Sequence, residues 1–256
     1  RSEKAYMSHF EIESLPTGGW GYLHFPMLAR YCLPLDKEVV SMTGRFHDSW
    51  GDFGGLKNRK ALAYECFRSL ALGAKCSIGD QLHPRGVLDK ATYELIGSVY
   101  EEVKVKEKWC EGTKLQADIG VLICSESEGP AAGFGKIYGK DSDEGATLML
   151  TELHHQFHLI DKESDFEQYS LIIAPDGVLF DDQLIRKTRY FLEKGGKLIL
   201  NHESGLDFYK RDFTLPELGV HYLGPSPFDQ EYFRVDETFS SLDPEYDYIL
   251  YERGSK

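Results

Sequence analysis

The sequence predicts an α/β chain built from βα units around parallel sheets. Three observations predict it. Short apolar or β-branched runs alternate with segments of helical periodicity, as in "EVVSMTGRF" followed by "NRKALAYECFRSLALGA". Three such units fill residues 5 to about 109, and a second block opens after "CEGTKLQ" (110–116) on the continuous apolar strand "ADIGVLIC". In the first block, polar residues gather directly after each strand.

The first strand is expected at 5–13 ("AYMSHFEIE"), followed by a helix at 22–33 with Pro26 near its first turn, where a missing N–H is tolerated. The second strand is 38–46. Over 58–74, Leu62, Cys66 and Leu70 with Ala63 and Phe67 fall at helical spacing, and Gly73 supplies the stop. The third strand is 75–82, and Asp89 caps a helix over 90–109. In the second block, strands are expected at 117–124, 158–161, 169–177 and 197–201. A Gly-rich loop at 126–141 and a helix at 143–157 follow the first of these, and Asp181 opens a helix over 182–196. The second block is thus a flavodoxin-like or Rossmann-like αβα sandwich. The final 50 residues, dense in Tyr, Phe, Pro and Asp, read as irregular or β elaboration.

Composition narrows the partners. The 256 residues are 41% apolar and carry 29 Lys plus Arg against 42 Asp plus Glu, a formal charge of −13 without a basic run. A protein that grips phosphate backbones shows a basic stripe, so neither nucleic acid nor an anionic membrane is an expected partner. No apolar run nears the roughly 18 residues of a membrane span, and the chain reads as soluble. Cys32, Cys66, Cys76, Cys110 and Cys124 are dispersed without a C-x-x-C pair, which speaks for small core residues over a disulfide or zinc framework. The opening "RSEKAYMSHF" and closing "LYERGSK" suggest a piece of a longer protein.

The chemistry lies after the first three strands. Glu11 and Glu13 precede "SLPTGGWGY", which carries Trp20; Arg45, His47, Asp48, Trp50 and Asp52 follow the second strand; Asp80, Gln81 and His83 follow the third. In a parallel βα barrel, the C-terminal strand ends build the active site. Carboxylates flanked by aromatic faces suit glycoside hydrolysis, in which one carboxyl protonates the leaving oxygen and another attacks or activates water. Trp20 and Trp50 offer stacking faces, and Arg45, His47, Asp52, Asp80, Gln81 and His83 offer hydrogen bonds to hydroxyls. Asp48 and Asp52 would alternatively serve as turn caps beside Gly51 and Gly54. No H-x-x-E or H-E-x-x-H spacing supports a metal here, and no cofactor is expected.

These residues carry a resemblance. "ESLPTGGWGY", "MTGRFHDSWGDFGGLK" and "GDQLHPRGVLDKATYELIGSVYEEVKVKEKW", with the later "YSLIIAPDG" and "FLEKGGKLIL", resemble the C-terminal part of bacterial glycoside hydrolases of the alpha-L-fucosidase-like and hypothetical glycosyl hydrolase type. The resemblance implies that residues 1–112 are the sixth to eighth βα units of a (β/α)8 barrel. It implies that 113–256 is a domain like the beta-galactosidase trimerisation domain, itself similar to class I glutamine amidotransferases. The implied activity is hydrolysis of an alpha-L-fucoside or beta-galactoside, with carbohydrate as ligand and a homo-oligomer, a trimer by analogy. One catalytic carboxylate of such barrels commonly comes from the fourth strand, outside this chain. Glu13, at a strand end before a Gly-rich turn, is the candidate acid/base, with Asp48 as the second catalytic candidate.

Three features of the second block invite other readings. "HESGLD" carries Ser204 after a strand, but it has no Cys and no G-x-S-x-G spacing, and Cys124 follows the wrong strand, so an amidotransferase centre is disfavoured. His154 and His158 are expected on one helix face, with His155 beside them, where imidazoles suit a helix C-terminus better than zinc. "GPAAGFGKIYG" lacks the order of a phosphate loop and is expected to be a surface loop. The alternative function is a noncatalytic carbohydrate-binding and self-association module.

Overall fold

The computed structural model describes residues 2–123, 141–225, 227, 231–234 and 247–250. The described residues divide into two compact units, one within 1–120 and 144–160, the other within 121–143 and 161–256.

The first unit opens on a 3₁₀ turn, Ser2–Tyr6, before strand β1 (His9–Glu13). The expected strand at 5–13 therefore begins four residues late: Tyr6 is almost fully exposed and has no neighbouring strand to pair with among the described residues. Helix α1 (His24–Cys32) leads to β2 (Glu38–Gly44), then α2 (Arg59–Ala71), β3 (Lys75–Gly79) and α3 (Lys90–Cys110). The side chain of Asn58 caps α2 and that of Asp89 caps α3, each accepting a backbone N–H of the first turn.

The three strands form a parallel sheet in the order β1-β2-β3, so β1 and β3 each pair on one side only among the described residues. Alternation decides what each face holds. Ile12 and Val39 pack with Phe25 and Ala29 of α1, while Cys76 and Ile78 pack against Leu62, Cys66, Val99 and Val103 of α2 and α3. The register places Glu13, Met42 and Ser77 side by side on the opposite face.

A second sheet contains β4 (Ile119–Leu122), β5 (Phe157–Ile160), β6 (Leu171–Ala174) and β7 (Lys197–Leu200), in the order β5-β4-β6-β7. β6 and β7 pair in parallel, Leu171 opposite Lys197. Helix α4 (Asp141–Glu152) precedes β5, and α5 (Asp182–Glu193) joins β6 to β7. The Asp181 carboxylate caps α5 by accepting the Leu184 N–H at 2.8 Å. Phe166 and Phe191 meet edge to face, and Gly196 is required beside them: a Cβ there would lie 2.3 Å from the Phe191 ring.

The helix expected at 143–157 stops at Glu152. His154 adopts φ 62°, the His155 N–H reaches Leu150 O, and the His154 N–H reaches Thr151 O, a left-handed helix stop. His154 and His158 consequently do not share a helix face: His154 is in the stop and His158 is in β5. Cys124 and most of the loop expected at 126–141 lie outside the described residues. Near the C-terminus, β8 (Glu231–Arg234) and β9 (Asp247–Leu250) pair antiparallel, consistent with β elaboration.

Candidate functional site

Three loops leave the aligned C-terminal ends of β1, β2 and β3. The longest, residues 45–57, is closed at its neck where the Lys57 N–H donates to Arg45 O at 2.7 Å. Arg45 opens this loop and is 6% exposed. Its Nε donates to Asp80 Oδ1 at 2.8 Å, Nη1 to Gly55 O at 2.6 Å and Nη2 to Phe53 O at 3.1 Å. Asp80, on the loop after β3, also accepts the Gln81 backbone N–H at 2.8 Å. The Gln81 amide donates to Trp50 O at 2.9 Å and Asp52 O at 3.3 Å. Arg45, Asp80 and Gln81 thus hold the loop's backbone, with three of the five guanidinium N–H groups bonded inside the protein.

That grip places Trp50. Its indole Nε1 donates to Glu13 Oε1 at 2.5 Å, and its ring meets Phe46 edge to face at 4.9 Å. A Cβ on Gly79 would lie 2.5 Å from Trp50 Cη2, so the end of β3 must be glycine for the indole to rest there. The loop after β1 docks on the same segment: the Thr17 hydroxyl donates to His47 O, and a Cβ on Gly18 would lie 2.0 Å from Asp48 O. Trp20 stands edge to face with His24, and Trp20 and Trp50 are 40% and 39% exposed, ring area that a ligand can cover. Burial lowers the His24 imidazole to about 4, and its Nδ1 lies 3.1 Å from Ser14 Oγ.

The remaining expected residues stand around this cluster. His47 and Asp48 are exposed beside Trp50, and Asp52 is half-buried in the same loop. His83 sits in an exposed turn, its Nδ1 accepting the Arg85 N–H at 3.2 Å. Chemically, the constellation offers a half-buried carboxylate, Glu13, fixed by an indole whose face is open, with carboxylates and imidazoles nearby.

Sequence reasoning missed a buried polar cluster beneath these loops. Lys57, 2% exposed, donates through Nζ to Glu65 Oε2 at 2.7 Å and to Thr43 Oγ1 at 2.8 Å. The Thr43 hydroxyl donates to the same Glu65 oxygen at 2.7 Å. The signal was present: Glu65 lies three residues after Leu62 and one before Cys66, on the apolar stripe of α2.

In the second unit, Ser204 is fully buried, its hydroxyl donating to Pro175 O and accepting the Val178 N–H at 3.2 Å. These bonds make it a packing residue rather than an exposed nucleophile.

Comparison with known proteins places this architecture. Residues 148–214 match the family model of the beta-galactosidase trimerisation domain. No curated protein matches the chain. The structure of alpha-L-fucosidase isoenzyme 2 from Paenibacillus thiaminolyticus is 42% identical over 100% of this chain, with a TM-score of 0.89, and the chain spans 38% of its length. A catalytic mutant of Gan42B, a GH42 beta-galactosidase from G. stearothermophilus, shares the fold at 17% identity and a TM-score of 0.68 over 99% of this chain and 42% of its own. The cold-adapted beta-galactosidase from Rahnella sp. R3 does so at 15% identity and 0.65, over 80% and 34%. The chain is therefore glycoside-hydrolase-like: an α/β fold with parallel sheets that resembles the C-terminal part of these structures, with residues 148–214 matching the beta-galactosidase trimerisation domain.

Proposed function

We propose that the whole protein hydrolyses O-glycosidic bonds and that the loops after β1, β2 and β3 form part of its sugar site. The observation that carries this reading is the Glu13 carboxylate held by the Trp50 indole at the C-terminal end of a parallel sheet. A fixed carboxyl beside an open aromatic face is what protonation of a glycosidic oxygen on a stacked sugar requires. Glu13 is the acid/base and Asp48 the second candidate carboxylate. Trp20 and Trp50 stack against the ring, and His47, Asp52 and His83 bind hydroxyls. Arg45, Asp80 and Gln81 fix the loop, with Gln81 also bordering the sugar. The 42% identity to an alpha-L-fucosidase favours an alpha-L-fucoside, since the beta-galactosidases are similar in fold alone. The domain boundary falls near residues 112 and 113, and the second domain serves packing and self-association, a trimer by analogy with its family model.

The test is a panel of aryl glycosides, alpha-L-fucoside and beta-D-galactoside first, on the full-length protein. Turnover is expected, with Glu13→Gln lowering it by about 10² or more, the usual contribution of a general acid. Near-normal turnover by Glu13→Gln would remove Glu13 from the mechanism. A full-length protein that binds these sugars and hydrolyses none would support the noncatalytic alternative.

A further inference from the structure

Two loops carry exposed tryptophans, and one buried carboxylate lies behind both. Glu65, on α2, is 8% exposed. Its Oε2 receives Lys57 Nζ, at the end of the loop that carries Trp50, and the Thr43 hydroxyl of β2. Its Oε1 receives, at a long 3.4 Å, the hydroxyl of Tyr22, two residues after Trp20 in the preceding loop. Burying an ion pair costs desolvation that a well-packed apolar pair of the same volume would avoid, so stability alone gives little reason for it. Burial and the Glu65 charge together hold the Tyr22 phenol above its usual range, as expected of a proton kept on the tyrosine side of this contact.

We propose that Glu65 is a positioning residue that couples the two tryptophan-bearing loops, setting the placement of Trp20 relative to Trp50. It touches no substrate; its effect passes through Tyr22 on one side and Lys57 on the other. The proposal rests on the sugar-site reading only for its consequence in catalysis, because the coupling itself is a property of the loops. A carboxylate is needed at this position because a single group must accept from an ammonium, a hydroxyl and a phenol at once.

The experiment is hydrogen exchange followed by mass spectrometry on the full-length protein, reading peptides over 15–23 and 45–57. Lys57→Met with Glu65→Leu removes the pair while keeping apolar volume. Exchange is expected to rise roughly tenfold in both peptides, the scale of one lost hydrogen bond to a charged group. A rise confined to 45–57 would overturn the proposal. Should that double variant fail to fold, Tyr22→Phe reads the same coupling by deleting one hydroxyl: raised exchange at 45–57 supports it, and a change confined to 15–23 defeats it. On whichever glycoside the full-length protein turns over, Tyr22→Phe is expected to raise KM with kcat near wild type, and to have no further effect in the Lys57→Met, Glu65→Leu background. Additive effects would overturn the coupling even with the glycosidase reading intact. Absence of turnover would defeat that reading while leaving the exchange result standing.

Discussion

At the scale of single residues, the site is held by side chains whose partners are distant in sequence. Arg45 reads in the sequence as a hydroxyl-binding cation, and in the structure it donates to Asp80, Gly55 and Phe53. Its partner Asp80 is 35 positions away, and no local pattern shows that the two meet. Trp50 reads in the sequence as an aromatic platform, but its bond to Glu13 is not legible there, because it spans two βα units. Gly79 is legible only as a strand end; its necessity comes from the indole lying where a Cβ would be. His24 supports a pH prediction. Burial depresses its folded pKa from 6.5 to about 4, so the unfolded chain takes up a proton that the folded chain refuses below pH 6.5. Stability should therefore fall as pH drops from about 6.5 to about 4. Denaturant titrations across that window should show a shallower fall for His24→Asn than for wild type.

At the scale of elements, strand and helix order was readable because apolar periodicity is local, whereas the ends were not. The helix leading to β5 stops at Glu152 because His154 takes a left-handed conformation, a choice made by backbone bonding that apolar spacing does not encode. The strand expected from residue 5 starts at His9, since pairing with Glu38 begins there. Caps were the dependable signals: Asp89 and Asp181 stand at helix starts in sequence and structure alike. The Asp181 carboxylate accepts the Leu184 N–H and lies 3.4 Å from Lys162 Nζ. Asp181→Ala should cost about 1 kcal/mol, the usual value of an N-cap. Chemical denaturation of the full-length protein would check it, with Asp181→Asn recovering most of the loss because it keeps the capping oxygen.

At the scale of the whole molecule, the βα alternation was legible, and it corresponds to parallel three- and four-stranded sheets. The Lys57–Glu65 pair escaped notice because charged residues default to the surface in any reading by composition, and only packing shows which stay inside. The chain spans 38% of the matched alpha-L-fucosidase, and the sugar site proposed for the whole protein is correspondingly built from three loops here. Prepared alone, this chain should show no glycoside turnover, because three strands do not surround a sugar; robust hydrolysis by the isolated chain would contradict that.

The one-sided pairing of β1 and β3 has a physical cost for any such preparation. Among the described residues, each outer strand presents a row of backbone donors and acceptors open to another strand, and the half-exposed Val40 and Met42 lie on the sheet between them. Two copies would satisfy those rows by zipping together edge to edge, so light scattering of the isolated chain should show concentration-dependent association. A partner strand on each row would act as its solubiliser, keeping the same hydrogen bonds from templating an aggregate.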